Sequence, residues 1–346
     1  MTQIIQNTLY LLTPGLSVHA DGLALRIEQE KQLKLSLPTH NIESVFVFHP
    51  SIYVSAPSMH LCWERGVSIC FFSEWGRLLA RVEGVPQGSV LLRLAQCRAA
   101  GDLARTSALA RQFVAGKIAN TRWLIGRTAR ESDAESDTNV LRNLGDTLAH
   151  LLRELEKSPD DTDIIRGLEG RAAALHFSEF TRHLRPALRT KFPLDGRSRR
   201  PPRDAINSLL SFLYALLRHD CVSALAGVGL DPFIGFLHAH RSGRESLALD
   251  LMEEFRPAAE RVALTLLNRT QLQANDFTER DGGAVELSER ARKTIVAAWQ
   301  QRKQEEIRHP LFEMPVRFGQ LPLIQARILA RVLRGDASDY TPHLFT

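Results

Sequence analysis

Along the first ninety or so residues, apolar and polar positions alternate as they do in half-buried strands. Turn residues divide this region into candidate strands at Asn7–Leu12, Leu23–Glu28, Leu33–Leu37, Ser44–Phe48, Val67–Phe72 and Arg77–Glu83, with the Ala20-Asp21-Gly22 step suited to a tight hairpin. Ser58–Arg65 instead has helical spacing and stops at Gly66, and Val67–Phe72 is almost continuously apolar, the pattern of a buried central strand. Beyond Pro86-Gln87-Gly88 the period changes. From Val90 to about Arg334 apolar residues recur at three- and four-residue spacing and β-branched runs disappear, which predicts helices. The acidic stretch Glu131–Thr138 and the Gly, Pro and Arg segment Phe192–Arg203 read as exposed connections, and the residues after Gly335 carry little to bury and are expected either to dock on something or to stay mobile.

The pattern predicts an α+β fold: a small β-rich N-terminal domain over residues 1–88, a larger all-α domain over 89–334 and a flexible C-terminal tail over 335–346. A chain of 346 residues that is 44% hydrophobic can fill two cores. The cysteines Cys62, Cys70, Cys97 and Cys221 form no CxxC pair, so reduced thiols in a cytoplasmic protein are expected rather than disulfides or a zinc ribbon. The opening MTQIIQNTLYLL has no basic leader or cleavage site, and no uninterrupted apolar span approaches 18 residues, so no membrane partner is expected.

The net charge of +5 is modest, but it is concentrated. Arg182, Arg185, Arg189, Lys191, Arg197, Arg199, Arg200 and Arg203 face the single acid Asp195 within one stretch. Either solvent or a polyanion must answer such a field, and arginine's planar fork favours phosphate, which makes nucleic acid the natural partner.

Two acidic features stand apart from this. Glu169 sits between Gly167 and Gly170 in a good helix former, where two glycines cost roughly 2 kcal/mol against alanine. Close approach by DNA or a hydrated ion would explain them, and so would a tight helix crossing. Further on, Asp250, Glu253 and Glu254 fall within one and a half turns of an expected helix, with Asp250 sharing a face with both glutamates. Such carboxylates repel one another unless a cation intervenes, and His238 or His240 would add nitrogen to a site for Mg²⁺ or Mn²⁺. The spacing does not choose between Glu253 and Glu254, and a wet helix face with a core histidine remains the plainer reading. Ala115-Gly116-Lys117-Ile118 lacks the leading glycine and Ser/Thr of a phosphate loop, Gly227-Val228-Gly229 lacks the third glycine of a dinucleotide fingerprint, and neither GxSxG nor HExxH occurs.

The order of longer blocks is more specific. NTLYLLTPG at Asn7–Gly15, RGVSICFFSEWGRLLARVEG at Arg65–Gly84, GSVLLRLAQ at Gly88–Gln96, GKIANTR at Gly116–Arg122, GLEGRAA at Gly167–Ala173, DGRSRRPPRDAINSLLSFLYALL at Asp195–Leu217 and GFLH…SLALDLMEEFRP at Gly235–Pro257 together resemble the CRISPR-associated Cas1 family, most closely its subtype I-C branch. The resemblance implies that Glu169, His238 and Glu253 ligate a catalytic Mg²⁺ or Mn²⁺, with Asp250 as a further acidic member of the catalytic set. It also implies a homodimer that joins a Cas2 dimer, and double-stranded DNA as substrate, both as captured fragment and as CRISPR repeat.

Under that resemblance the chain is a metal-dependent DNA integrase and endonuclease, in which a 3′-hydroxyl attacks a repeat phosphodiester and water can take its place. Arg182, Arg185, Arg189, Arg197, Arg199, Arg200 and Arg203 are then expected to grip the DNA backbone, with Asn207 and Tyr214 near the DNA ends. A histidine ligand must be neutral, so activity is expected to fall below about pH 6.5, the ordinary imidazole value. The rival readings are a structure-selective repair nuclease, which cuts branched or single-stranded DNA without joining, and a metal-independent scaffold.

Overall fold

The computed structural model describes residues 2–5, 8–73, 78–82, 90–132, 134–198, 201–309 and 315–346. The chain folds into two compact units, Met1–Pro86 with Leu287–Gln301, and Gln87–Glu286 with Arg302–Thr346.

In the first unit, strands β1 (Thr2–Ile5), β2 (Thr8–Leu11), β3 (Leu16–Asp21), β4 (Ala24–Gln29), β5 (Gln32–Pro38), β6 (Ser44–Val47) and β7 (Tyr53–Val54) precede helix α1 (Ala56–Glu64), followed by β8 (Ser68–Phe72) and β9 (Leu78–Val82). They form a five-stranded sheet, β1-β2-β6-β8-β9, and a four-stranded sheet, β5-β4-β3-β7. The expected β domain with one helix is therefore present. The expected hairpin at Ala20-Asp21-Gly22 joins β3 to β4, with Asp21 paired to Ala24 and Gly22 at φ +57°, a backbone that glycine adopts without a Cβ clash. Strand β3 was not expected. Its Leu-Ser-Val-His alternation buries Leu16 and Val18 and leaves the residues between them half-exposed.

The continuous apolar run in β8 follows from burial on both faces. Leu9, Leu11, Val45, Val47 and Ile69 belong to a core shared with Leu16, Val18, Leu25 and Ile27 of the second sheet and with Leu61 and Cys62 of α1. Tyr10, Phe46, Phe48 and Phe72 form an aromatic layer, with Phe48 stacked on Phe72 at 4.8 Å and Phe46 5.2 Å from Tyr10. Helix Glu289–Gln304 returns to this unit and buries Trp299, and the Gln300 amide donates to the Tyr10 hydroxyl. A cut at residue 88 therefore leaves out part of the first unit, because the packing partner of Tyr10 comes from almost 300 residues later (|i−j| = 290).

The second unit is built from α2 (Val90–Ala100), α3 (Leu103–Glu131), α4 (Glu135–Glu156), α5 (Thr162–Ser178), α6 (Pro186–Arg189), α7 (Ala205–Gly227), α8 (Ser246–Met252) and α9 (Arg256–Asn268), then α10 (Leu321–Arg334). Short strand pairs at Phe277–Glu279 with Val285–Leu287 and at Glu306–Arg308 with Pro315–Arg317 depart from the all-α expectation. Helix α7 is long and apolar enough to cross a membrane, yet 67% of its most apolar window is buried in the protein, which makes it the core helix.

Two expected connections changed character. The acidic segment Glu131–Thr138 is mostly helix, because α4 already begins at Glu135 and buries Asp137. The residues after Gly335 are packed rather than flexible, with Tyr340 and His343 each only 2% exposed.

Candidate functional site

Helix α8 stops at Met252 because Pro257 lies just beyond it. In a continuous helix the proline ring would clash with the carbonyl four residues back, that of Glu253, so the chain makes a short 3₁₀ turn over Glu253–Phe255 and restarts as α9 with its proline in the first turn. This break sends the two neighbouring glutamates to different surroundings, a choice that spacing alone had left open.

Glu253 is 2% exposed. Its Oε1 accepts from Arg256 Nε at 2.8 Å and lies 3.8 Å from His238 Nε2. Its Oε2 is 2.7 Å from Lys117 Nζ of α3, outside hydrogen-bonding angles. Lys117 Nζ also pairs with Glu169 Oε1, so one ammonium bridges the carboxylates of α5 and of the turn. Burial opposes the charge on Glu253, but Arg256, Lys117 and His238 outweigh it and hold its carboxyl well below the usual range. Glu254 faces the opposite way, into the packing of residues 340–345, where burial pushes its carboxyl up to about 8.

Asp250 has a third environment. Its Oδ2 accepts from the amides of Phe236 (2.6 Å) and Leu237 (3.0 Å), and its Oδ1 from the His238 amide (2.9 Å) and His238 Nδ1 (2.7 Å). Four donors saturate a fully buried carboxylate. Asp250 thereby holds His238 through Nδ1, and Nε2 is the ring nitrogen turned toward Glu253. A Cβ on Gly235 would come within 2.7 Å of Asp250 Oδ2, which is why the loop needs glycine there. Gln96 pins the start of this loop through Asp231 and the Ile234 carbonyl, and Arg166 of α5 donates to the Leu237 carbonyl at 2.9 Å, tying the Glu169 helix to the His238 loop.

Asp250, Glu253 and Glu254 thus each face separate partners. Gly167 and Gly170 have nothing within 4 Å of an added Cβ, so no internal helix crossing requires them. His240 Nε2 bonds the Gly235 carbonyl at 2.9 Å.

The arginine stretch divides. Arg182 Nη1 lies 2.8 Å from Asp137 and Arg189 grips the same carboxylate with both terminal nitrogens, so these two tie residues 182–189 to α4. Arg189, ahead of Arg182, keeps the Asp137 carboxyl below its ordinary value against the pull of burial. Arg197 is half-buried and lies 5.3 Å over the Tyr214 ring, while Arg185 and Arg203 are exposed. Arg199 and Arg200 fall outside the described residues. Asn207 is fully buried and accepts from Ser198 N, donates to the Gly196 carbonyl and caps α7 with Asp204, which makes it the organiser of the arginine loop.

Sequence reasoning missed Lys117, Arg256 and a neighbouring buried cluster. Lys117 lies in the GKIANTR block and was set against the phosphate-loop template, but neither gave it a role in the site. Arg256 stands one turn after Glu253, a spacing that could have flagged the pair. Beside them, Glu260 accepts from Tyr214 Oη at 2.6 Å and pairs with His176 Nε2 at 2.9 Å, lining a small pocket with Lys117, Arg197 and Arg256. Burial raises the Glu260 carboxyl, but His176 and Tyr214 win and bring it down to about 2 from 4.5. A carboxyl lowered on folding stabilises the protein above its unfolded pKa and loses that contribution as the pH falls from about 4.5 toward 2. Glu260→Gln is therefore expected to lose less melting temperature than the native chain between about pH 5 and pH 3. Parallel slopes in the two thermal-denaturation series would refute this.

Among the described residues, no three His, Cys, Asp or Glu side chains already form an ion cage. The donor set nevertheless suits a hard divalent ion: two carboxylates, one of them Glu253 with a buried oxygen beside the flexible Lys117 ammonium, and an imidazole.

A family model described as "CRISPR associated protein Cas1" matches residues 9–301. The chain is 49% identical over 343 residues to "CRISPR-associated endonuclease Cas1 1" of Moorella thermoacetica, covering 99% of each. Among solved structures it is similar to a CAS1 protein from Thermotoga maritima (TM-score 0.80, 22% identity, covering 98% of this chain and 99% of that one). It is also similar to a casposase bound to integration product (TM-score 0.83, 20% identity, covering 97% and 92%). A match of this extent, with the site built by the blocks that carry it, places the chain in the Cas1 family of CRISPR-associated proteins.

Proposed function

We propose that this chain is a divalent-metal-dependent DNA integrase and endonuclease that inserts short foreign DNA fragments into a CRISPR array. The observation that carries the proposal is the imidazole of His238, locked by Asp250 so that Nε2 faces Glu253, with Glu169 joined to the same point through Lys117. Glu169, His238 and Glu253 would hold the ion. When bound, Mg²⁺ or Mn²⁺ supplies Lewis-acid polarisation of the scissile phosphate and lowers the cost of deprotonating the attacking hydroxyl.

The chain's own residues perform the rest. Asp250 takes the hydrogen bond of His238 Nδ1 and orients the ring so that Nε2 is the atom offered to the ion. Lys117 has a four-carbon stem that lets its ammonium leave the carboxylates and follow the phosphate's developing charge. Arg256 stays fixed by Glu253 and by the Tyr214 ring, 4.7 Å from its guanidinium, and keeps the turn in register. Arg185, Arg197 and Arg203 supply backbone-neutralising charge for double-stranded DNA. In the reaction, a 3′-oxygen bonds to the repeat phosphorus, the bond to the departing 3′-oxygen breaks, and the attacking hydroxyl's proton passes to solvent. With water as nucleophile, the same groups cut.

A homodimer joined to a Cas2 dimer is the assembly proposed for this activity, and subtype I-C the branch. The full-length likeness to Cas1 relatives disfavours the repair-nuclease reading. Incubating a 3′-hydroxyl oligonucleotide with a supercoiled repeat plasmid tests the proposal. Joined product is expected with Mn²⁺, and none without it or with Glu169→Ala or His238→Ala. Nicking without joining would favour repair, and joining without metal would sink the reading.

A further inference from the structure

The C-terminal segment packs against the site's turn through Glu254, the neighbour of Glu253. Tyr340 Oη donates to Glu254 Oε1, the His343 amide donates to Glu254 Oε2, and Gln325 Nε2 lies 3.1 Å from the same oxygen and 3.0 Å from the Thr341 carbonyl. From α3, Asn120 Nδ2 donates at 2.8 Å both to the Glu254 backbone carbonyl and to the His343 carbonyl, while its Oδ1 accepts from Phe345 N at 2.9 Å. One buried carboxamide therefore clamps the turn and the tail to the helix that carries Lys117.

Aromatic packing covers the same stretch. Tyr340 lies 5.0 Å from Phe113, Phe345 lies 5.3 Å from Trp123, and His343 stacks at 6.4 Å on Phe255 of the turn. At Gly116 an added Cβ would be 2.7 Å from Pro342 Cβ and 3.2 Å from Glu254 Cβ, so tail, turn and α3 meet at a point where nothing larger than glycine fits.

We propose that Tyr340–Phe345 is a strap that sets the position of Glu253, with Asn120, Glu254 and Tyr340 as positioning residues that never touch DNA. The 3₁₀ turn Glu253–Phe255 is only three residues long and joins two helices across a proline break, so its place depends on what packs behind it. The strap fills that role from a segment 86 residues downstream of Glu254. As a device for placing Glu253 as an ion ligand, it rests on the function proposed above.

The test uses the full chain, a variant lacking residues 340–346, Gly116→Val, and the shortened variant with a synthetic peptide of residues 336–346 added back. Hydrogen exchange at the amides of residues 252–258 reads the strap without metal. Exchange there should rise at least tenfold in both variants and fall again with the peptide, while the amides of the β sheets in residues 8–72 stay unchanged. Calorimetric titration with Mn²⁺ should then show at least tenfold weaker affinity in the variants and recovery with the peptide. Native exchange at the turn in the shortened chain, or loosened exchange with native Mn²⁺ affinity, overturns the strap. A full chain that binds no Mn²⁺ while its shortened form loosens at the turn instead contradicts the metal reading and leaves the strap as the holder of the turn. A variant that is unprotected everywhere and not rescued by peptide also counts against it, since the segment would then serve the whole fold.

Discussion

Asp250→Asn is expected to lower strand joining by about 10- to 100-fold and to weaken Mn²⁺ binding in parallel. The carboxylate meets two donors on each oxygen: the Phe236 and Leu237 amides on one, the His238 amide and Nδ1 on the other. A carboxamide can match only one of these pairs. With its oxygen toward Phe236 and Leu237, its NH₂ faces His238, and the imidazole must move its proton to Nε2, the atom that points to Glu253. In the other orientation the tautomer survives, but two buried amides lose their acceptor at about 1–3 kcal/mol each. The first orientation predicts a flipped tautomer with one buried amide, that of His238, left without an acceptor, and the second a correct tautomer with two left so. Nitrogen NMR of the His238 ring with thermal melting separates them, and native joining rates together with native stability would contradict the role assigned to Asp250.

The second expectation sets two adjacent residues apart. Glu253→Gln should reduce joining by about 10³-fold or more, the loss of several kcal/mol of charge stabilisation at the reacting phosphate. It removes a charge that Arg256 and Lys117 answer and an oxygen facing His238. Glu254→Gln should leave joining within a few-fold of native. Its carboxyl, raised to about 8 by burial, is largely neutral at pH 7, and an amide of the same shape can still accept from the His343 amide while its NH₂ meets Tyr340 Oη. Steady-state joining rates for the two variants, with near-ultraviolet circular dichroism to confirm packing, check the pair. Equal losses in both would mean that the turn does not separate their roles.

Local features of the sequence announced much of this fold. The unbroken apolar run of β8, the turn at Gly22 and the leucine stripe of α4 at Leu141, Leu144, Leu148, Leu151 and Leu155 each depend on neighbours within a few residues. What stayed hidden depends on distance along the chain. Nothing near Arg182 or Arg189 reveals that both pair with one buried acid 45 and 52 residues earlier, and nothing near Tyr10 points to Gln300. In the site, the motif blocks brought forward Glu169, His238, Asp250 and Glu253, while pattern alone could not divide the acidic run. Pro257 was in plain view, and the clash of its ring with the Glu253 carbonyl is the physical step that assigns Glu253 to the site and Glu254 to the strap. The pairing of Lys117 with Glu169 and Glu253 joins residues 52 and 136 positions away, and no local pattern shows it.

The central claim is that Glu169, His238 and Glu253 share one ion, and anomalous diffraction from crystals soaked in Mn²⁺ tests it most directly. The account predicts a single strong peak about 2.0–2.6 Å from His238 Nε2 and from carboxylate oxygens of Glu169 and Glu253, with Lys117 Nζ drawn away from between them. A peak elsewhere, or no peak with Lys117 still bridging the two carboxylates at saturating Mn²⁺, would contradict it.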